Sequence, residues 1–424
     1  MLLRPHSKRF SFHMPASFHP LTEKNFAILW VGAFVSNLGF WIQNVAQSWQ
    51  VLQLTNSAFL LGLAAFIGTI PSLLFSLFGG VIADKFNRRR LLLLVNSIYM
   101  CTALLLGILT TMRIIQVWHI IAMALVNGLF SSISFPAWQV FVADLIRDED
   151  LKQGIALNSM QFNLSRVIGP AIGGISIGIF GIAGSYYLNA LSYIGVLVPL
   201  ALIHPVQKSA QAPGEQGVVD NLIQGVTYLK YHPWLVILLS LQLMIAFFVL
   251  PYTTLLPIFA ASIFHTGATG LGVMNSVAGV GALAGAVLLV LLMERLRQPV
   301  QALFFFCLLG GVASMIFALM PAQTPALPLL IAMGGSTVMA TTYTNTAIQS
   351  STPADLRARV VSIWITVTFG VAPFGSLVAG AVAQSFGAES TMLLGGAICV
   401  LVAGGLVLLA RRVAPAARGA VQLE

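Results

Sequence analysis

Two stretches of this 424-residue chain carry residue types and spacings that could do chemistry. In the first, Gly80-Val81-Ile82-Ala83-Asp84-Lys85-Phe86-Asn87-Arg88-Arg89-Arg90, a carboxylate follows a glycine by four positions and precedes a basic run. The glycine lets a neighbouring helix approach closely. The carboxylate can pair with basic residues or helix termini in one conformation and release them in another. Gly80, Asp84, Lys85, Arg88 and Arg89 therefore read as a conformational gate. The plainer alternative is a basic cluster that only anchors a loop.

The second stretch is Asn158-Ser159-Met160-Gln161-Phe162-Asn163-Leu164-Ser165-Arg166-Val167-Ile168-Gly169-Pro170-Ala171-Ile172-Gly173-Gly174. Gly169 with Gly173, and Gly174 with Gly178, make small-xxx-small faces for tight helix contact. Pro170 removes a backbone donor and frees the carbonyl near residue 166. Arg166 lies within the apolar run itself, where an ionisable side chain is a functional candidate by default. A structural arginine bonded to helix carbonyls and to Asn or Gln amides is the alternative.

Other polar residues recur at helical spacing. Asn37, Trp41, Asn44 and Ser48 form one stripe, and Gln43, Gln47 and Gln50 form another beside it. With Gln242, Phe247, Tyr252, Asn275, Tyr343 and Asn345 they suggest a cavity that holds an amphipathic or aromatic molecule by amides, hydroxyls and ring faces. An aromatic such as Phe247 also fits as ordinary packing. All twelve Asp and Glu fall in tails, loops or near helix ends. If protons are coupled, the candidates are Asp84, His119, Asp144 and Asp355, although an isolated histidine such as His119 also reads as a hydrogen-bonded interface residue. Walker loops, dinucleotide fingerprints, metal-ligand spacings and nucleophile triads are absent, so the chain reads as no enzyme, with no cofactor and no metal.

The elements that must position these residues are membrane helices. Hydrophobic residues make up 58% of the chain and charged residues 8%, with mean hydropathy +0.91. A soluble protein needs a charged surface that this composition cannot supply. A backbone crossing lipid must satisfy its own hydrogen bonds as helix, and each crossing takes roughly 20 apolar residues. Twelve spans follow, at 26–54, 58–83, 91–110, 114–142, 154–180, 184–203, 234–264, 270–293, 299–319, 326–350, 358–384 and 388–410. If the N-terminus is cytoplasmic, 19 of the 21 Lys and Arg lie inside, the bias of the positive-inside rule. Arg113 falls outside and Arg166 within a span. The net charge of +9 then lines the inner face beside anionic lipid and needs no nucleic acid. Cys101, Cys307 and Cys399 read as small buried side chains. Residues 1–25 lack the apolar core of a signal peptide.

The expected class is an all-α polytopic protein of the inner (plasma) membrane, built as two pseudo-symmetric six-helix bundles with both termini cytoplasmic. Its segments are a tail at 1–25, a bundle at 26–203, a linker at 204–233, a second bundle at 234–410 and a tail at 411–424. Within the linker, residues 218–226 suggest a short amphipathic helix on the inner surface. An internal echo supports the division. Glu149-Asp150-Leu151-Lys152 and Ala354-Asp355-Leu356-Arg357 each precede a span that reaches a Pro step, at Gly169-Pro170 and Ala372-Pro373. Repeated halves with interrupted helices are how alternating-access carriers are built.

These motifs resemble the major facilitator superfamily. The Gly80–Arg89 segment resembles its signature loop, and Arg166 through Gly174 resembles its antiporter helix-5 motif. Phe162 through Pro170, Asn345 through Gln349, Leu356 through Ser362 and Phe369 through Gly380 resemble the drug and siderophore exporter branch that includes enterobactin exporters. The resemblance spans about Phe26 to Ala410. It implies alternating access around a central cavity, with export of a small amphipathic molecule driven by protons. It places the family's loop aspartate on Asp84, its basic positions on Lys85, Arg88 and Arg89, and its packing residues on Gly169, Pro170, Gly173 and Gly174. Asn87 departs from the loop's usual glycine, and the loop near Glu294-Arg295-Leu296-Arg297 is degenerate. The expected partners are the substrate, membrane lipids and protons, with a monomer sufficient for function. A lipid or lysolipid flippase of the same fold and a non-transporting sensor are the alternatives.

Overall fold

The computed structural model describes residues 16–203, 218–296 and 298–420, with the side chains at 16, 17, 76–85, 218–223, 225, 354, 355, 358 and 411–420 outside the description. The described chain is helical almost throughout. The first half holds α1 (Lys24–Thr55), α2 (Ala58–Lys85), α3 (Arg88–Thr111), α4 (Val117–Asp144), α5 (Leu151–Ser192) and α6 (Ile194–Leu202). Then come α7 (Val218–Tyr231), α8 (Pro233–Met244), α9 (Tyr252–Ile258), α10 (Gly267–Leu292), α11 (Pro299–Ala318), α12 (Gln323–Ser351), α13 (Ala354–Phe386) and α14 (Ala388–Ala420).

Among the described residues eleven helical stretches are long and apolar enough to cross a membrane, and one of them, Asp148–Leu202, is 55 residues long. At 1.5 Å per residue that is roughly 80 Å, enough for two crossings. The break is Gly181, at φ 69° and ψ 178°, a backbone region open essentially to glycine alone. The chain reverses there, which gives the twelve crossings expected from composition. Gly181→Ala should therefore destabilise the protein by about 1–3 kcal/mol, read as a lower melting temperature in detergent.

The seventh crossing is the irregular one. Pro233–Ile263 runs as α8, a π-helical turn at Ile245–Val249, α9, and a second π-helical turn at Phe259–Ile263. Pro251 and Pro257 explain the breaks, since neither can donate to the ladder and each ring crowds the carbonyl four residues earlier. The Phe247 carbonyl, four before Pro251, is covered by Gly375 of α13, where a Cβ would stand 2.6 Å away.

Lipid-facing surfaces are apolar, as on α10, where Val273, Val280 and Val287 form one exposed stripe. The cores differ along the membrane axis. At the end carrying Arg88–Arg90 and Arg147, here the basic end, one core is built from Phe26, Leu29, Leu92, Phe141, Leu157 and Leu200, all from the first half. Another is built from Leu235, Leu303, Phe306, Ile348 and Val360, all from the second. At the far end one core joins Val45 and Trp49 of α1 and Ala58 of α2 to Tyr252, Phe259, Leu271 and Ala383, and a second, of Val51, Leu61, Leu106, Ile120 and Tyr186, lies within the first half.

Two glycine seams seal that far end. Along α5 and α10, a Cβ on Gly174 would stand 2.7 Å from the Ala268 carbonyl, and one on Gly272 would stand 2.5 Å from that of Pro170. Along α2 and α13, a Cβ on Gly62 would meet the Ser376 carbonyl at 2.5 Å, and one on Gly380 the Ala58 carbonyl at 2.6 Å. The two echo segments of the sequence open α5 and α13, so each helix of the repeat supplies one seam.

Candidate functional site

Helix α5 organises the region near the membrane centre. Successive residues turn by about 100°, and this divides its faces. Ser165 and Gly169 face α1: the Ser165 hydroxyl donates to the Phe34 carbonyl at 3.3 Å, and a Cβ on Gly169 would stand 2.5 Å from Trp41 Cβ. Val167, Pro170 and Gly174 face Gly279, Gly272 and Ala268 of α10. Ile168, Ile172 and Ile175 are exposed on the lipid side.

Arg166 lies between the first two faces, so it is directed toward the space between α1 and α10. It stands fifteen residues from Leu151 and fifteen from Gly181, hence roughly 22 Å from either end of its crossing. It is half-buried and makes no hydrogen bond or ion pair with the described residues. Tyr252 of α9 lies within electrostatic reach. Among the described residues no carbonyl or amide bonds Arg166, as a purely structural arginine would require. A guanidinium at this depth costs about 2.5–3.5 kcal/mol on insertion scales, which an uncompensated structural role does not explain.

Trp41 flanks the same spot. Its ring is 6.3 Å from that of Phe162, one turn before Arg166, and its buried indole Nε1 has no hydrogen-bond partner. Toward the basic end, the Asn37 amide donates to Gln161 Oε1 at 3.0 Å, Gln161 to Asn158 Oδ1 at 3.5 Å, and the Trp138 indole to the same Asn158 oxygen at 3.3 Å. Asn44, on the Asn37–Trp41 stripe, is exposed. The neighbouring glutamine stripe points elsewhere. Gln43 accepts from Asn189 at 2.6 Å, and Gln50 bonds both Thr110 and Tyr186, so these amides tie α1 to α3 and to the second crossing within α5.

Several expected cavity residues are not at an open surface. Gln242 is 1% exposed and is engaged with Thr341 at 3.1 Å and Thr344 at 3.5 Å, joining α8 to α12. Tyr343 is buried, with its hydroxyl donated to the Leu296 carbonyl. Tyr252 is buried in the far-end core. In this conformation all three are packed side chains, and Gln242 and Tyr343 each have the neighbour that a buried polar group needs. Phe247, Asn275 and Asn345 are half-buried; Phe247 stacks edge-on against Phe248, Asn275 donates to its own helix at Leu271, and Asn345 accepts from Gln349.

Of the gate residues, Gly80, Asp84 and Lys85 have side chains outside the described residues, as does Asp355. Arg88 forms an ion pair with Asp144 at 3.1 Å, and Arg89 donates to the carbonyls of Leu200 and Ala201 at the end of α6. That contact suits the negative end of a helix. His119 caps α4, its Nδ1 accepting from the Gln116 amide at 3.0 Å. Gly173 packs on Ile42 and Val45 of α1, while Gly174 packs on α10, so adjacent glycines serve different neighbours.

Sequence reasoning missed three polar contacts. Gln384 of α13 accepts from Ser57 at 2.8 Å and from the Phe59 amide at 3.3 Å, latching the far end across the two halves. His19 pairs with Asp150 at 2.7 Å, and Arg147 with Glu23 at 2.6 Å, which dock the 3-10 turn Ala16–Thr22 and the start of α1 against the loop before α5. A lone glutamine at a span end and charges scattered through a tail carry no periodic signal, so only the fold reveals these pairs.

Twelve crossings, with described cores that join the two halves at one end and stay within one half each at the other, define a polytopic all-α membrane protein. A sequence profile described as transmembrane secretion effector matches residues 15–421, so the chain belongs to that family of the major facilitator superfamily. It is 27% identical to the staphyloferrin A transporter of Staphylococcus aureus, over 87% of this chain and 92% of that protein. It is 26% identical to the multidrug efflux pump Tap of Mycolicibacterium fortuitum (88% and 91% covered) and 26% identical to the enterobactin exporter EntS of Shigella boydii (90% and 92% covered). A crystal structure of the nucleoside transporter NupG shares the fold, with a TM-score of 0.72 at 12% identity, over 91% of this chain and 99% of that one.

Proposed function

We propose that the protein is a secondary active exporter of small amphipathic molecules, of drug-like or siderophore type, working by proton-coupled alternating access. The observation that carries the reading is the contrast between the two ends. One core and two glycine seams join the halves at the far end, whereas the described cores of the basic end belong to one half each. With the basic end in the cytoplasm of the inner (plasma) membrane, and both termini there, this is the inward-facing state of a two-bundle carrier with boundaries at 26–203 and 234–410. Substrate enters from the cytoplasm or the inner leaflet and reaches the centre near Asn44, Trp41 and Phe162. Closure of the basic end, with Asp84 and its neighbouring arginines as the gate, then opens the far end. One chain carries both halves, so a monomer suffices. The siderophores and drugs named for its relatives set the substrate class to try first.

The test is proton movement in proteoliposomes that enclose a pH reporter, after addition of staphyloferrin A, enterobactin or ethidium. The wild type is expected to show substrate-stimulated proton flux, lowered roughly tenfold or more by Asp84→Asn, a loss within the range of site-to-site coupling. Substrate flux without protons would remove the antiport mechanism. Movement of labelled lipid alone would make the protein a flippase.

A further inference from the structure

The centre of the molecule offers hydrogen-bond donors and lacks negative charge. Arg166 points between α1 and α10 with no partner among the described residues, and on the neighbouring α1 face the Trp41 indole N–H is buried and unpartnered. Phe162, one turn before Arg166, is 43% exposed and its ring lies 6.3 Å from that of Trp41. Among the described residues no carboxylate pairs with Arg166, and by sequence position all twelve acidic residues lie in tails, loops or near helix ends. The acidic positions in the loops next to α5 and α10, Asp148, Glu149, Asp150 and Glu294, are all near the basic end, a full half-crossing away from Arg166. Tyr252, the titratable group within electrostatic reach, is a phenol. A fixed positive charge with no internal counter-ion favours a guest that brings one, and a guanidinium with an adjacent N–H suits oxygen anions in particular.

We propose that Arg166 is the anion-recognition centre of the transport cavity, and that the substrate is an amphipathic solute carrying a carboxylate or comparable oxygen anion beside a planar group. The inference rests on the export reading for its cavity and narrows it: cationic drug-like compounds are excluded as preferred substrates. The anion bonds the guanidinium, the Trp41 N–H gains a partner, and the planar group lies against Phe162. Lipophilic cations meet the uncompensated charge of Arg166 and bind worse than neutral analogues.

The experiment measures binding and flux separately, with the full chain in phosphatidylcholine nanodiscs. The probes are dansylglycine (anionic), dansylamide (neutral) and dansylcadaverine (cationic), followed by fluorescence anisotropy. The wild type is expected to bind dansylglycine about 10- to 100-fold more tightly than dansylamide, the scale of a charge-assisted hydrogen bond, and dansylcadaverine most weakly. Arg166→Gln should bring dansylglycine down to dansylamide, Arg166→Lys should keep most of the preference, and Trp41→Phe should weaken dansylglycine by a few-fold. A wild type with no preference for dansylglycine overturns the proposal whether or not Arg166→Gln purifies well. So does a monodisperse Arg166→Gln protein that keeps the preference. Displacement of dansylglycine by phosphatidylglycerol added to the nanodisc would assign the site to a lipid phosphate and overturn the solute form. Flux of the same probes into proteoliposomes then tests the broader reading: charge-selective binding without flux defeats export but leaves the anion site standing, and flux favouring the cation does the reverse.

Discussion

Gly272→Val is expected to lower substrate flux by about 10- to 100-fold while leaving the protein folded in the membrane. The α5–α10 seam has no room for a side chain at this position, since even a Cβ would stand 2.5 Å from the Pro170 carbonyl and 3.0 Å from Gly174 Cα. Backbone cannot yield as a flexible side chain does, and overpacking of this kind costs about 1–3 kcal/mol. The penalty applies only when the seam is closed. A ligand-independent bias of that size moves a two-state equilibrium by roughly 5- to 150-fold, away from the conformation described here. Two measurements separate this from simple misfolding. Maleimide labelling of a cysteine at Asn44, in a background with Cys101, Cys307 and Cys399 replaced, should shift from basic-end access toward far-end access. Gly405→Ala, where no atom lies within 4 Å of the added Cβ, should change neither flux nor labelling. A Gly272→Val protein with normal flux and unchanged labelling would show that the far-end seam is not part of the cycle.

The crossings and their class were legible in the sequence because burial in lipid is a bulk property that twenty-residue averages capture. The small-residue motif was legible as a packing face, but not its partners. Nothing in the letters says that Gly173 meets Ile42 while Gly174 meets Ala268. The polar residues of α12 illustrate the harder limit. Ser336, Thr337, Thr341 and Thr346 donate to carbonyls of their own helix at 2.8–3.0 Å. A hydroxyl can satisfy itself three or four residues back, so its presence in a span says little about water. Amides lack that reach in both functions at once, and the α1 amides did find partners or open space. Arg166 follows the same logic to its end, as a donor group too deep to reach the surface and too far from any acid to be neutralised. The seventh crossing could be expected to break at Pro251 and Pro257, but not that Gly375, 128 residues on in sequence, packs on the Phe247 carbonyl of the first π-helical turn.

Asp144→Ala should destabilise the protein by about 3–5 kcal/mol, the usual result of removing one partner from a buried ion pair. Arg88 and Asp144 have side chains only 6% and 5% exposed, and their 3.1 Å contact ties the start of α3 to the end of α4. A paired double change, Arg88→Met with Asp144→Leu, replaces the charges by apolar volume and is expected to recover most of the loss, since a well-packed apolar pair often matches a buried salt bridge. The measurement is the melting temperature of each purified variant in detergent, and recovery in the double variant is the expected sign of a mutual strut. The same three proteins, wild type included, decide whether Asp144 carries protons. A strut acts through the pair, so proton-linked flux should return with stability in the double variant. A proton carrier acts through its own carboxyl group, and flux would then stay lost in a double variant that melts normally. On these measurements Asp144 is either a brace that lets α3 and α4 move as one body or the acid through which the gradient drives them.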